Sequence, residues 1–152
     1  MDYLVQIVEN AQDMLDALEI RRTVFVEEQK VPPKRERDGE DHKCKHIIIR
    51  VNGQAAGTLR FHNFGKNKVK IEWIAVMKSY RSQGLGSKML RFVEECSRKE
   101  GVEELVLYGQ SRASDFYKKL GYSTDEKIFY DARIKHFKSV KKISALQKFI
   151  NT

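Results

Sequence analysis

The sequence predicts an α/β chain: one mixed, largely antiparallel sheet with helices on its faces. Two observations lead there. Short runs rich in β-branched and aromatic residues are interspersed with stretches of helical periodicity. Three of those runs follow one another without an intervening helix, so they form antiparallel neighbours, whereas the others are separated by helices. The resulting order is β, α, loop, three strands, α, β, α, β, β.

Each element has a local reason. "YLVQIVEN" reads as a first strand, and Asn10 can cap the helix that follows. Ala11, Met14, Leu15 and Leu18 then recur at helical spacing. Pro32 and Pro33 interrupt "EEQKVPPKRERDGED", which predicts a long loop. "KHIIIRV" and "QAAGTLRFH" flank Asn52-Gly53, a dipeptide suited to a two-residue hairpin turn. "KVKIEWIAV" follows the turn at Gly65. Alternation assigns Val69, Ile71, Trp73 and Ala75 to one face, and Lys70, Glu72, Ile74 and Val76 to the other. Leu85, Met89, Phe92, Val93 and Cys96 form the apolar stripe of the next helix, which Gly101 can end. "EELVLYG" is a strand. "SRASDFYKKLG" is a short helix with Ser111 as cap and Gly121 as stop, and strands around "IFYDAR" and "IKHFKSV" complete the chain.

Composition bounds the function. The 152 residues suit a single domain spanning 1–152. No apolar stretch is long enough to cross a bilayer, and no signal peptide is visible at the start. Cys44 and Cys96 are far apart and in no ligand spacing, which argues against a disulfide framework or a zinc motif and for a reducing cytoplasm. The net charge of +8 invites a polyanion, yet the excess is uneven: residues 133–152 carry six Lys or Arg and no acid, while "ERDGED" is acidic. No recognition helix or array of stacking aromatics accompanies the basic end, so nucleic acid is not the expected partner. His42, His46, His62 and His136 are read as surface or strand residues, and no metal is expected.

The most informative stretch is "YRSQGLGSKMLRFVEEC", Tyr80 to Cys96. Gly84 and Gly86 stand at the mouth of an amphipathic helix, where unpaired N–H groups and the helix dipole favour an anion. A P-loop would need four residues between its glycines and a following Gly-Lys pair, and a dinucleotide fingerprint would need a third glycine where Met89 stands. By itself the turn could equally be a plain connector.

The pattern RxxGxG at Arg81 to Gly86, directly after a strand ending in "IAV", resembles the acyl-coenzyme A loop of the GNAT superfamily of N-acetyltransferases. "ASDFYKKLGY" is similar to that family's AxxFYxKxG helix with its closing aromatic, and the element order agrees. "VFVEEQKVP", "ERDGED", "KHIII" and "ARIKHFK" extend the likeness to the YjcF-like branch. The resemblance covers nearly the whole chain. It implies the GNAT acyl-CoA N-acyltransferase fold, with a central splayed sheet. It also implies acetyl-CoA as cosubstrate and transfer of its acetyl group to a primary amine, on a small molecule or a protein lysine.

Residue roles follow from the resemblance. Ile74, Ala75 and Val76 would contact the pantetheine arm. Arg81, Ser82, Gln83, Gly84, Leu85, Gly86 and Ser87 would cradle the pyrophosphate, and Gln110 would bond the cofactor arm. Tyr117 is the candidate general acid, against the alternative of a core aromatic. Glu72 is the candidate base, directly or through ordered water, against the alternative of a cross-strand ion pair. Glu28 and Gln29 would meet the acceptor, as would Asp38 and Asp41 if the acidic loop is more than solvated surface. A non-catalytic acyl-CoA-binding or sensing module on the same fold is the alternative function, and monomer and homodimer both remain open.

Overall fold

The computed structural model describes residues 2–131 and 134–143; the final basic residue expected near the C-terminus, Lys148, lies outside them, as does Arg133. The elements are β1 (Tyr3–Ile7), α1 (Ala11–Arg21), α2 (Pro33–Glu36), β2 (Lys45–Val51), β3 (Gln54–Asn63), β4 (Lys68–Val76), α3 (Leu85–Lys99), β5 (Glu104–Gln110), α4 (Ser114–Lys119), β6 (Ser123–Asp131) and β7 (Ile134–Lys142). They fall into two compact units, the first comprising Met1–His62 with Ile71–Phe92 and the second Asn63–Lys70 with Val93–Thr152.

In the first unit the strand order is β1-β2-β3-β4, with β1, β2 and β3 antiparallel. β2 is flanked on both sides, and its run Ile47, Ile48, Ile49 is wholly buried, which explains why its sequence is continuously apolar rather than alternating. Asn52 and Gly53 both have positive φ, as the expected tight hairpin turn requires. The Asn10 side chain accepts from Asp13 N at 2.8 Å, capping α1 as the sequence indicates.

Two expectations change here. The inward face of α1 is Asp13, Ala17, Ile20 and Arg21, while Leu15 is exposed. The polar members are inward because they have partners: Asp13 accepts from Arg50 at 2.7 Å and from Gln6 at 3.1 Å. The supposed loop from Glu27 to Asp41 begins inside a π-helical turn and contains α2, which Pro33 starts from its first position, where a missing N–H costs nothing.

Beyond α1 the chain continues as a π-helical turn, Arg22–Glu28, that buries Val24 and Phe25. Residues 36–44 then fold down onto two buried cations. Arg21 NH1 donates to Asp41 at 2.6 Å and its NH2 to the Glu36 carbonyl at 2.8 Å. Arg60 donates to both oxygens of Asp38, at 2.9 and 2.7 Å, and to Asp41 at 2.9 Å. His46, also buried, bonds the Asp41 carbonyl at 2.9 Å, and burial lowers the pKa of its imidazole.

In the second unit the order is β5-β7-β6, both pairs antiparallel, over a core that includes Val69, Val93, Leu105, Val106, Leu107 and Tyr122. Helix α4 has Ala113 at its N-cap, with no side-chain cap hydrogen bond; the expected cap, Ser111, opens a 3-10 turn instead. Glu94 is buried in a carboxylate–cation cluster with Arg98 and with Lys141 at 2.9 Å.

The Arg60 clasp makes an acid-stability prediction. Its hydrogen bond holds the Asp38 carboxyl down at about 2, against an ordinary value of 3.8. A carboxyl lowered by folding stabilises the native state above its unfolded value and loses that contribution as pH falls through the folded one. Asp38→Asn should cost about 1 kcal/mol at neutral pH, after discounting for Asp38's exposure. Urea titrations should show the difference between variant and wild type narrowing from about pH 4 to about pH 2; a pH-independent difference would contradict the clasp.

Candidate active site

The glycine turn lies in the first unit, between β4 and α3. Ser82 and Gly84 both have positive φ, 64° and 78°. Left-handed residues interspersed in a turn point successive N–H groups into one concavity, an arrangement that receives anions. The 15-residue helix α3 begins at once, at Leu85, and Lys88 N closes its first turn on the Gly84 carbonyl at 3.1 Å. Gly84 is needed for its backbone conformation rather than for space, since a Cβ there would meet only Lys88 Nζ, at 3.9 Å. Lys88 therefore brings a cation close to the turn, one the motif did not point to. Its ammonium also lies 4.7 Å from the Tyr3 ring centroid. Gly86 and Ser87 are in the first turn of α3.

Arg81, expected at the phosphates, braces the turn. Its Nε donates to the Val76 carbonyl and its NH2 to Glu28 Oε1, each at 2.9 Å. Two residues assigned to different ligands, Arg81 to the cofactor and Glu28 to the acceptor, are thus joined to each other. Gln29 follows as the C-cap of the π-helical turn, its N–H bonded to the Val24 carbonyl.

Strand β4 carries a backbone irregularity at the candidate base. Trp73 has φ 53°, an outlier for a bulky residue, and sits between Glu72 and Ile74. The Phe25 ring, edge-on at 4.9 Å, and the Arg21 guanidinium at 5.6 Å hold the indole. Val69, Ile71 and Ala75, all from one face of the alternation, are the buried residues of this strand, while Trp73 at the irregularity is half-buried. Glu72 Oε1 accepts from Arg60 Nε at 3.1 Å and lies 3.2 Å from His62 Nε2. Glu72 thus has an arginine across the strands as a partner, with a histidine beside it. Asp38 and Asp41 share Arg60 with Glu72.

Tyr117 and Gln110 belong to the second unit. Tyr117 is buried on α4, its ring 5.3 Å from Phe116 and 6.1 Å from Tyr122. Burial pushes its phenol up to about 12, further above neutral pH than the ordinary value of 10. The ring edge packs close against β5 where Gly109 has no side chain: a Cβ there would be 2.4 Å from Tyr117 Cε2. Gln110 ends β5, one residue beyond that contact and opposite His136 of β7. Phe129 stacks on the His136 ring at 5.5 Å.

Sequence reasoning missed Gly109, Arg60, His62 and Lys88. Only Lys88 had a local signal, its position one turn after Gly84. The others are defined by strand pairing and packing.

Three comparisons with known proteins bear on these features. Residues 12–122 match the profile of the acetyltransferase (GNAT) family. The YyaT protein of Bacillus subtilis is 38% identical over 135 residues, covering 87% of this chain and 90% of its own. The N-acetyltransferase YjcF of the same organism is 34% identical over 139 residues, covering 89% and 96%. An acyl-CoA N-acyltransferase structure from Pseudomonas aeruginosa superposes with a TM-score of 0.79 at 22% identity, covering 92% of this chain and 98% of that one.

Gly109→Ala is predicted to displace the Tyr117 ring. Overpacking of this kind costs about 1–3 kcal/mol of stability. Near-ultraviolet dichroism at the tyrosine band should change while the far-ultraviolet spectrum is kept. An unchanged tyrosine signal would show that the ring does not depend on the glycine.

Proposed function

The chain belongs to the GNAT acetyltransferase family, and from that premise we propose that it moves the acetyl group of acetyl-CoA directly to a primary amine, with Tyr117 as general acid and Glu72 as base. The observation that carries the reading is the left-handed turn at Ser82 and Gly84, set between β4 and the start of α3. Its backbone N–H groups, helix dipole and nearby Lys88 suit a pyrophosphate. Ile74, Ala75 and Val76 line the approach on the preceding strand, and Gln110 serves the cofactor arm. Arg81 contributes by fixing the turn to the Val76 carbonyl and to Glu28.

Acetyl-CoA supplies an activated thioester. What the protein must add is proton management. A lysine-like amine is neutral in roughly one molecule in 2,500 at pH 7. Glu72, directly or through water, receives the proton of the incoming ammonium, and His62 at 3.2 Å is placed to share it. Tyr117 keeps its proton to well above neutral pH and gives it to the departing thiolate. Glu28 and Gln29 are the proposed acceptor contacts. Asp38 and Asp41 influence the acceptor through Arg60, whose charge they balance.

The cradle is tested by calorimetry. Gly84→Val should weaken acetyl-CoA binding at least about tenfold, because a β-branched residue resists positive φ. Unchanged affinity in the folded variant would remove the turn from the binding site.

The acid is tested by Tyr117→Phe, which keeps the ring and removes the proton. Single-turnover transfer to an identified amine should slow by about 10²–10⁴-fold with acetyl-CoA affinity preserved. Because burial holds the phenol near 12, wild-type kcat/KM should show no alkaline fall from this group until the pH approaches about 12. Full single-turnover activity in Tyr117→Phe would return the residue to the core. Acetyl-CoA binding without transfer to any amine would instead favour a sensing module.

A further inference from the structure

A second set of chemistry-bearing side chains converges in the first unit. Cys44 closes the 3-10 turn just before β2. The β2–β3 register pairs Lys45 with Phe61, so Cys44 and His62 are the next residues across. Glu72 on β4 extends the row, with Oε1 3.2 Å from His62 Nε2. The thiol, imidazole and carboxylate donor atoms all lie within 4.8 Å of one another, and all three residues are half-buried.

We propose that Cys44, His62 and Glu72 form a three-ligand site for a thiophilic divalent cation, with zinc as the type case. The donor set selects the ion: sulfur, nitrogen and oxygen together suit zinc, whereas calcium and magnesium take oxygen alone. Donors on one tetrahedral zinc are about 3.3–3.8 Å apart, from bond lengths of about 2.0–2.3 Å. Sulfur and nitrogen or oxygen ligands on one zinc are about 3.5 Å apart, so the row needs to close by up to about 1.3 Å, through rotation of the Cys44 side chain. Strand backbone holds His62 and Glu72, so little ordering is left for the ion to impose.

Neighbouring charge permits the ion. Arg60 is a cation in contact with Glu72, at 3.1 Å, and Asp38 and Asp41 counterbalance it. Cys44 Sγ now donates to the Glu40 carbonyl at 3.4 Å. A coordinated thiol loses its proton outright, so binding exchanges that weak hydrogen bond for a metal–sulfur bond and releases one proton to solvent. The three protein ligands leave a fourth position for water. Ion binding is independent of the acetyltransferase mechanism. Its consequence rests on the proposed role of Glu72: an ion that takes this carboxylate removes the base and inhibits acetyl transfer.

Cobalt is the probe, added to untagged full-length protein. One equivalent should produce a thiolate-to-cobalt charge-transfer band, and zinc should abolish it. Cys44→Ser and His62→Ala should each lose the band, while Cys96→Ser should keep it. Competition with a chelator should show zinc affinity falling by more than about 100-fold in Cys44→Ser, beyond the loss expected for an outer-shell partner. Absence of the band in wild type, or its survival in Cys44→Ser, would overturn the site. With an amine substrate in hand, zinc should inhibit wild type but not Cys44→Ser, which retains Glu72; equal inhibition of both would overturn the inhibitory consequence. Failure of the acetyltransferase reading is separately visible, as loss of acetyl-CoA binding in calorimetry with the cobalt band intact.

Discussion

Arg60 is a cation on a central strand with almost no contact with water, and the surrounding structure is arranged around satisfying it. Removing a guanidinium from water costs several kcal/mol unless carboxylates replace the lost hydration. Asp38, Asp41 and Glu72 supply them, from a loop and from the neighbouring strand. Asp41 is shared with a second buried arginine, Arg21 at the end of α1, which also pairs with Glu36 at 2.6 Å. The acidic run is therefore the counterion set of two buried arginines. That set pins residues 36–44 to β3 and, through Arg21, to α1, and it brings Cys44 beside His62.

The same network meets the irregular backbone of β4. A tryptophan at positive φ stores about 1–3 kcal/mol of strain, which persists only where the surroundings over-determine it. Phe25 from the π-helical turn and Arg21 from the end of α1 flank the Trp73 indole, while Arg60 and His62 hold Glu72 next to it. The strain thus falls at the residue beside the proposed base. The π turn, itself an uncommon structure frequent at functional sites, positions both Phe25 and Glu28. Glu28 ties back to the glycine turn through Arg81. The segment carrying Glu28, the strand carrying Glu72 and the glycine turn are mechanically connected within one unit.

The second unit buries a phenol and seats its ring against a strand. Burial raises its pKa further above neutral, to about 12, and the missing side chain of Gly109 leaves room for the ring.

The sequence by itself determined whatever depends on near neighbours. Asn10 as a cap, the Asn52-Gly53 turn, the continuous apolar run of β2 and the glycine turn before α3 are consequences of backbone preference and short-range hydrogen bonding, so they can be read from a few consecutive residues. The Phe116-Tyr117 pair was likewise visible as a motif, without the glycine that seats it. Tertiary structure alone decided the rest, where residues distant in sequence compete for one partner. Leu15 faces out and Asp13 faces in because Arg50, 37 positions away, needs a carboxylate. Asp38 and Asp41 pair with a buried arginine because β3 runs beneath their loop. Cys44, His62 and Glu72 have no recognisable spacing, since strand register, and not the count of intervening residues, aligns them. Period and propensity carry no record of such pairings, because the free energy that sets them is that of a charge leaving water, and it exists only once the chain has folded.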